Sequence, residues 1–201
     1  MSDLYLYEYA SVLERVLSYG VANKYSTHTV ERLVSYSPFF QELEISATPF
    51  RPYITSEDLL KTLYGEHALE KSETPTFKQC LWASEAYLRI QMETRLTFEA
   101  IFLYLPLANM YELFTIYHEM DFSQIVDEFK SRQSKKSVLS ILLESRRVSL
   151  TLLAEKTGIS YDVLASVRSR RRSIQKLSVA QALSIASFFR VRVETVVEAQ
   201  K

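Results

Sequence analysis

Basic residues are concentrated in one short stretch near the C-terminus of the chain. Arg168, Arg170, Arg171 and Arg172 fall within five residues, and Lys176 follows four positions later. Guanidinium and ammonium groups at this density suit the phosphates of a polyanion, because they supply both charge and hydrogen-bond donors. The spacing therefore predicts a phosphate-binding segment and not a site where bonds are made or broken.

Two short predicted helices precede this basic stretch and position it. Ser149 is a good N-cap for the first helix, and Gly158 ends that helix because glycine adopts a left-handed backbone at little cost. Ser160 can cap the second helix, which runs from about Tyr161 to Arg168. Two short helices joined by a turn that contains glycine form a helix-turn-helix.

These residues resemble those of a known family. The run LAEKTGIS at 153–160, the basic loop after it and the run SVAQALSIA at 178–186 look like the Cro/phage-repressor (XRE-type) helix-turn-helix family. The similarity covers roughly residues 136 to 199 and implies five helices. They are Lys136–Arg147, Ser149–Lys156, Ser160–Ser169, Ser178–Phe189 and Arg192–Ala199. The alternative interpretation is a small helical bundle with no role in binding nucleic acid.

The resemblance implies that the second helix of the motif lies in the major groove of double-stranded DNA. The predicted DNA contacts are Ser149, Ser160, Tyr161, Asp162, Ala165, Ser166, Arg170, Arg171, Arg172 and Lys176, with Lys135, Lys136 and Arg147 as further phosphate contacts. The chain departs from the family at Leu150, where glutamine is common, and at Tyr161 and Asp162, where glutamine and serine or threonine are common. Asp162 could accept a hydrogen bond from a cytosine amino group or could repel phosphate, and both interpretations stay open.

Residues with catalytic or metal-binding potential show no productive spacing. His28, His67 and His118 are far apart and match no metal motif, and no glycine-rich phosphate loop occurs. Cys80 lies beside Leu81 and Trp82 on an apolar helix face, which is typical of a buried thiol. A single cysteine also excludes an intramolecular disulfide. These patterns argue against an enzyme and predict no cofactor and no bound metal.

The charges divide the chain into two parts. Residues 1–130 hold 10 Lys and Arg against 19 Asp and Glu, a net charge of −9, whereas residues 131–201 hold 14 against 5, a net charge of +9. Opposite signs favour two units with different partners, or two units that attract each other. We predict an acidic, aromatic-rich domain at 1–130 and a DNA-binding domain at 136–201. Residues 130–137 are either the joint between them or a solvated helix extension.

The first 130 residues predict six or seven helices, and the whole chain is predicted to be all-α. Glycine is scarce, and the apolar residues recur at helical spacing through most of this part. Asp3–Tyr19 is the first predicted helix, with Gly20 as its stop. Residues 38–53 contain three prolines and a weak alternation, so a short strand or an extended arm is expected there.

The leading functional hypothesis is a sequence-specific transcriptional regulator, a repressor that acts as a homodimer. The family resemblance implies the dimer, and the tyrosine-rich first domain is the candidate surface for it. The alternative is an antitoxin-like or mobile-element inhibitor protein, whose first domain binds a basic protein while the helix-turn-helix represses its own promoter. A third interpretation, a ligand-sensing regulator, requires a pocket. No signal peptide or long apolar run is seen, so a cytoplasmic protein is expected.

Overall fold

The computed structural model describes residues 3–45, 56–64 and 77–198, and these residues form helices and no strand. The all-α prediction is confirmed for this part of the chain. In chain order the helices are α1 (Asp3–Ala22), α2 (Thr27–Tyr36), α3 (Pro38–Ile45), α4 (Ser56–Tyr64), α5 (Phe77–Thr94), α6 (Phe98–Tyr104), α7 (Leu107–Tyr117), α8 (Phe122–Lys135), α9 (Val138–Ser145), α10 (Leu150–Thr157), α11 (Tyr161–Arg168), α12 (Val179–Phe189) and α13 (Val193–Glu198). A 3-10 helix, Ile174–Lys176, separates α11 from α12.

The chain divides into two compact units, Met1–Asp127 and Glu128–Lys201, and the boundary lies inside α8. The predicted joint at 130–137 is therefore helical as far as Lys135, which corresponds to the helix-extension interpretation. Within that extension the Nε of Arg132 donates a 2.7 Å hydrogen bond to the carboxylate of Glu128, one turn earlier. The segment lacks apolar side chains and is nevertheless helical, because polar residues with good helix propensity can continue an established helix.

The first unit is built around α1 and α5, which form its most extensive helix pair. Gly20 lies inside α1 and does not end it as the sequence predicted, because the helix continues to Ala22. A Cβ at Gly20 would lie 2.5 Å from Val30 Cγ2 and 2.6 Å from the Tyr64 hydroxyl. Glycine is required there because α2 and α4 approach α1 too closely for any side chain.

Two glutamates of the first unit satisfy the first backbone amides of later helices. The carboxylate of Glu31 on α2 accepts a 2.6 Å hydrogen bond from the amide of Leu107, the first residue of α7. The carboxylate of Glu44 on α3 accepts an equally short bond from the amide of Phe98, the first residue of α6. The first amides of a helix have no acceptor within it, so these bonds satisfy them and tie distant segments of the chain together.

The region expected to be a strand or an extended arm begins with a helix, α3. Pro38 occupies the first position of α3, where its missing amide proton costs nothing, and Phe39, Phe40 and Leu43 are buried. Their helical spacing outweighs the weak alternation that suggested a strand. With α3, eight helices begin within the described residues of this part, where six or seven were predicted. Residues 46–53, the rest of the expected arm, lie outside the described part of the chain.

The second unit contains α9 to α13, and each of these helices overlaps one of the five predicted spans. Its buried apolar side chains come from every one of these helices and from the 3-10 helix. They include Leu139, Leu142, Leu153, Leu164, Val167, Ile174, Ile185, Phe189 and Val196. Ser178 begins α12 with a complete capping box, because its hydroxyl accepts from the amide of Gln181 and the Gln181 side chain accepts from the amide of Ser178.

Basic residues stand where many chains place glycine at the ends of helices. Among the described residues, the non-glycine residues with a left-handed backbone are Lys24, Arg95, Arg147, Arg170 and Arg190, at φ of +52° to +61°. Each follows a helix by one or two residues. A basic side chain at a helix C-terminus is favoured by the carbonyl dipoles, which offsets part of the strain of the left-handed conformation.

No single helix in the described segments is both long enough and apolar enough to cross a membrane. One bent pair, Phe98–Tyr104 with Leu107–Tyr117, meets the length and composition criteria when taken together, with a bend of 68° at the break.

Candidate nucleic-acid interface

The helix-turn-helix consists of α10, a three-residue turn and α11. The hydroxyl of Ser149 accepts a 3.1 Å hydrogen bond from the amide of Leu152 and so caps α10. Gly158 ends α10 at a φ of +69° while its amide donates to the carbonyl of Ala154. Ile159 in the turn is only 4% exposed and anchors the turn to the core. The local signals in the sequence therefore produce the expected pair of helices.

Burial separates the two faces of α11. Leu164 and Val167 are fully buried, and they fix the orientation of the helix against the unit. On the opposite side Tyr161 is 53% exposed, and Asp162 is exposed beside it. The first turn of α11 therefore presents Tyr161 and Asp162 to solvent, and its last residue, Arg168, is exposed as well.

The other predicted base contacts on this helix are less accessible. Ala165 and Ser166 are half-buried, and the Ser166 hydroxyl donates a 2.7 Å hydrogen bond to the carbonyl of Val163. Ser160 is exposed at the N-cap position of α11, and its hydroxyl makes no capping hydrogen bond within the described residues. That hydroxyl is therefore able to bond to a group outside the chain.

The basic segment, residues 168–176, begins at the last residue of α11. Arg171 and Arg172 are exposed, and so is Lys176 in the 3-10 helix. The Nε of Arg171 donates a 3.1 Å hydrogen bond to the hydroxyl of Ser169, and the amide of Arg172 donates a 3.0 Å bond to the carbonyl of Ser166. These contacts order the backbone while leaving most guanidinium protons of Arg171 and Arg172 available.

Arg170 is placed differently from the other predicted phosphate contacts. Its guanidinium donates hydrogen bonds to the carbonyls of Gln133, Ser134 and Lys136, at the C-terminal end of α8. The distance is 2.5 Å to Ser134 and 2.6 Å to Lys136. The side chain is thus directed at backbone carbonyls at the C-terminal end of a helix, where a cation is favoured.

Two serines that the sequence did not single out as site residues hold the end of α11. The hydroxyl of Ser137 donates a 2.9 Å hydrogen bond to the carbonyl of Arg168, and the hydroxyl of Ser140 reaches the same oxygen at 3.3 Å. Ser137 also caps α9 by accepting from the amide of Ser140. The capping role could be inferred from a serine before an apolar helical run, but the contact with Arg168 joins residues 31 positions apart.

The three further phosphate candidates are all exposed. Arg147 follows α9 in a left-handed conformation, and Lys135 is the last residue of α8. Lys136 pairs with Glu144, with 2.6 Å between Nζ and a carboxylate oxygen. Residues 128–201 together hold 15 Lys and Arg against 6 Asp and Glu, a net charge of +9. A field of that sign attracts polyanions and is weakened by salt.

The histidines and the cysteine form no metal-binding cluster among the described residues. No group of three or more histidine, cysteine or acidic side chains that could hold a metal occurs in that part of the chain. Burial raises the pKa of the Cys80 thiol, whose sulfur lies 3.7 Å from the Tyr111 hydroxyl. His118 Nδ1 lies 2.8 Å from the carbonyl of Phe114, and His67 lies outside the described residues.

The first unit contains an open cleft of about 440 Å³. Its lining residues are His28, Thr29, Arg32, Leu33, Tyr36, Ser37, Pro38, Thr62 and Leu63. The guanidinium of Arg32 lies 6.0 Å from the centre of the Tyr36 ring. The volume is within the range of small-ligand sites, which is the feature that a ligand-sensing regulator requires.

The resemblance to phage repressors rests on the motif residues alone. No protein-family model, curated protein or solved structure matches the chain at a significant level. Function is therefore inferred from the exposed first turn of α11, the basic segment after it and the charge of the second unit.

Proposed function

We propose that this protein is a sequence-specific DNA-binding transcriptional regulator that inserts α11 into the major groove of double-stranded DNA. The width of that groove admits an α-helix, and the N-terminal residues of a recognition helix face the base edges. Tyr161 and Asp162 are the exposed side chains at that end of α11. Ser149 and Ser160 are the N-cap residues of α10 and α11. In this proposal they contact the sugar-phosphate backbone of the duplex.

One observation carries the proposal: an exposed helix end and an exposed basic segment belong to the same short motif. The basic segment, which begins at the last residue of α11, holds five basic residues and no acidic residue between positions 168 and 176. Phosphate contacts supply affinity and register, whereas side chains on the helix read the bases. A motif with only one of these features would bind DNA without specificity or would not bind it at all.

A homodimer is part of the proposal, because one helix-turn-helix reads only a few base pairs. Two copies on an inverted repeat double the contacts, and half-sites of such dimers lie about one helical turn apart. Exposed apolar side chains on the first unit are the candidate dimer surface. They include Tyr7, Phe77 and Ile116, which are 63%, 64% and 57% exposed.

The test is selection of sequences bound by the full chain from random duplex DNA, followed by a salt titration of the best sequence. We expect an inverted repeat to be enriched. Replacing Arg171 and Arg172 with alanine should weaken binding to every sequence and lower the slope of log affinity against log salt by about 2, because each phosphate contact contributes about 0.9.

The matched control replaces two exposed basic residues of the first unit, Arg32 and Lys61, with alanine, which removes the same charge. Its salt slope should equal that of the unmodified chain. If the control changed the slope as much as the Arg171 and Arg172 variant, the effect would come from net charge and not from phosphate contacts. Failure to enrich any sequence would remove the proposed specificity.

The exposed apolar side chains also favour a second candidate function, an antitoxin-like or mobile-element inhibitor. The net charge of −9 on residues 1–130 would then attract a basic protein partner. Replacing Ile116 with aspartate separates the two functions. Loss of a homodimer in sedimentation experiments would favour the repressor, whereas loss of a stoichiometric complex between a monomer and an identified basic protein would favour the inhibitor.

A further inference from the structure

Arg170 joins the basic segment to the end of α8. It follows α11 by two residues, and its backbone is left-handed at a φ of +61°. The Nη1 atom donates to the carbonyl of Ser134, and Nη2 donates to those of Gln133 and Lys136. Carbonyls at a helix end lack partners within the helix and carry partial negative charge, so a guanidinium is well suited to them.

The shape of the guanidinium is what makes this contact possible. Its donors lie in one plane at fixed angles, so a single side chain can reach several carbonyls at once. A lysine ammonium has one nitrogen on a flexible stem and cannot reproduce bonds made from two separate nitrogens. Because both terminal nitrogens of Arg170 bind backbone oxygens, the side chain is occupied by the protein in this conformation.

The backbone on either side of Arg170 is held as well. The carbonyl of Arg168 accepts from the Ser137 hydroxyl, and the amide of Arg172 donates to the carbonyl of Ser166. Arg171 and Arg172 follow Arg170 immediately, so their direction depends on where this backbone is fixed. The guanidinium contact helps to hold Arg170 in this left-handed conformation, together with the 3.0 Å hydrogen bond from its amide to the carbonyl of Val167.

We infer that Arg170 is a positioning residue, which clamps the basic segment to the end of α8 so that Arg171 and Arg172 are directed at phosphate. This rests on the proposed DNA binding, and it assigns Arg170 a role different from the phosphate contact that the sequence predicted. A phosphate contact acts through its own charge. A clamp acts through the two arginines after it, and the two roles respond differently to lysine.

The experiment compares R170K with R171K in the full chain, using the selected duplex. A phosphate contact tolerates lysine, because an ammonium still supplies charge, so R171K should bind within about threefold of the unmodified chain. R170K keeps the charge and loses the clamp, so its affinity should fall by about tenfold. In a chain that already carries R171A and R172A, adding R170K should cost nothing further.

Two results would overturn the clamp. One is that R170K binds as tightly as the unmodified chain. The other is that R170K lowers the affinity of the chain with R171A and R172A by the same factor as it lowers that of the unmodified chain. Amide hydrogen exchange gives a reading without DNA. R170K should speed exchange of the Arg172 amide by about tenfold, while the Val191 amide, which donates to Ala186 at 3.0 Å, stays unchanged. If the unmodified chain bound no duplex, the proposed function would fail, and unchanged exchange at Arg172 would separately disprove the clamp.

Discussion

The hydroxyl of Ser137 lies 2.9 Å from the carbonyl oxygen of Arg168 and donates a hydrogen bond to it. Ser137 is the N-cap of α9, and Arg168 is the last residue of α11. One buried side chain therefore makes hydrogen bonds at the start of α9 and at the end of α11. The second bond holds the backbone at the residue where the basic segment begins.

Replacing Ser137 with alanine should lower the free energy of unfolding by about 1–3 kcal/mol, because it removes a helix cap and leaves the Arg168 carbonyl with one partner fewer. Urea unfolding monitored by circular dichroism measures the change. Ser140 provides the control, since it is half-buried and its 3.3 Å contact with the same carbonyl is longer. A loss at Ser140 equal to that at Ser137 would contradict the role assigned to the buried hydroxyl.

Gly158 is required for its backbone conformation and not for space. Its φ is +69°, and a Cβ added there would meet no atom within 4 Å. Replacing it with alanine should therefore cost about 1–2 kcal/mol of stability from backbone strain alone. Asparagine, which tolerates the left-handed conformation better, should cost less than alanine. Thermal unfolding distinguishes them, and equal losses for both variants would point to a cause other than φ.

The turn at Gly158 and the helix at α3 show how much of the fold the sequence allows one to predict. The signals for α10 and α11 are local, because a capping serine and a glycine act within a few residues of where they stand. The signals for residues 38–53 conflicted, since three prolines and a weak alternation competed with the spacing of Phe39, Phe40 and Leu43. Burial against the rest of the unit decides such a conflict, and burial cannot be read from a short window.

Replacing Gly20 with alanine should destabilise the first unit by about 1–3 kcal/mol, although alanine is the better helix former by about 1 kcal/mol. The added methyl would lie 2.5 Å from Val30 Cγ2 and 2.6 Å from the Tyr64 hydroxyl. The Tyr64 hydroxyl donates to the carbonyl of Val16 at 2.8 Å, so moving it breaks a buried hydrogen bond.

A double variant tests the steric explanation for Gly20. Replacing Val30 with alanine removes the Cγ2 atom that the added methyl would meet. G20A should therefore cost less stability in a chain that already carries V30A than it does in the unmodified chain. Denaturant unfolding of the four chains in this cycle gives the coupling. A coupling of zero would mean that the two side chains do not collide, and that α1 shifts to accept the methyl.

Glu31 should make stability depend on pH. Burial raises its pKa to about 7 from an ordinary value of 4.5, while the hydrogen bond from the Leu107 amide opposes the shift. The folded chain holds this proton more tightly than the unfolded chain, so proton binding adds to the free energy of unfolding. This contribution is complete below pH 4.5 and is lost as the pH rises to about 7.

Replacing Glu31 with glutamine removes this titration and keeps an oxygen that can accept from Leu107. The free energy of unfolding of E31Q, relative to the unmodified chain, should therefore increase by about 2–3 kcal/mol between pH 5 and pH 8. Denaturant unfolding at each pH provides the measurement. A difference that stayed constant across this range would show that Glu31 titrates alike in the folded and unfolded chain.

The candidate site was predictable from the sequence in its position but not in the role of each residue. The run of arginines marks the basic segment, since charge and spacing are visible in the sequence itself. The bonds of Arg170 join residues 34 to 37 positions apart, and no local pattern reveals them. Burial of one side of α11 likewise left Tyr161 and Asp162 more exposed than Ala165 and Ser166.

Asp162 offers the sharpest test of base recognition. It is exposed in the first turn of α11, where the helix dipole favours its negative charge. If its carboxylate accepts from a cytosine amino group, D162A should lose about 1–3 kcal/mol of discrimination at one base pair of the selected sequence and leave the others unchanged. Affinities for duplexes substituted at each position measure this loss.

The control for Asp162 is Glu155, an exposed carboxylate of the same motif that lies on α10 and pairs with Lys156 at 3.4 Å. E155A removes the same charge and should leave every base preference intact. If D162A instead tightened binding to all duplexes equally, the carboxylate would repel phosphate, as a negative charge near the backbone must. Base recognition by α11 would then depend on Tyr161 and the half-buried side chains that follow it.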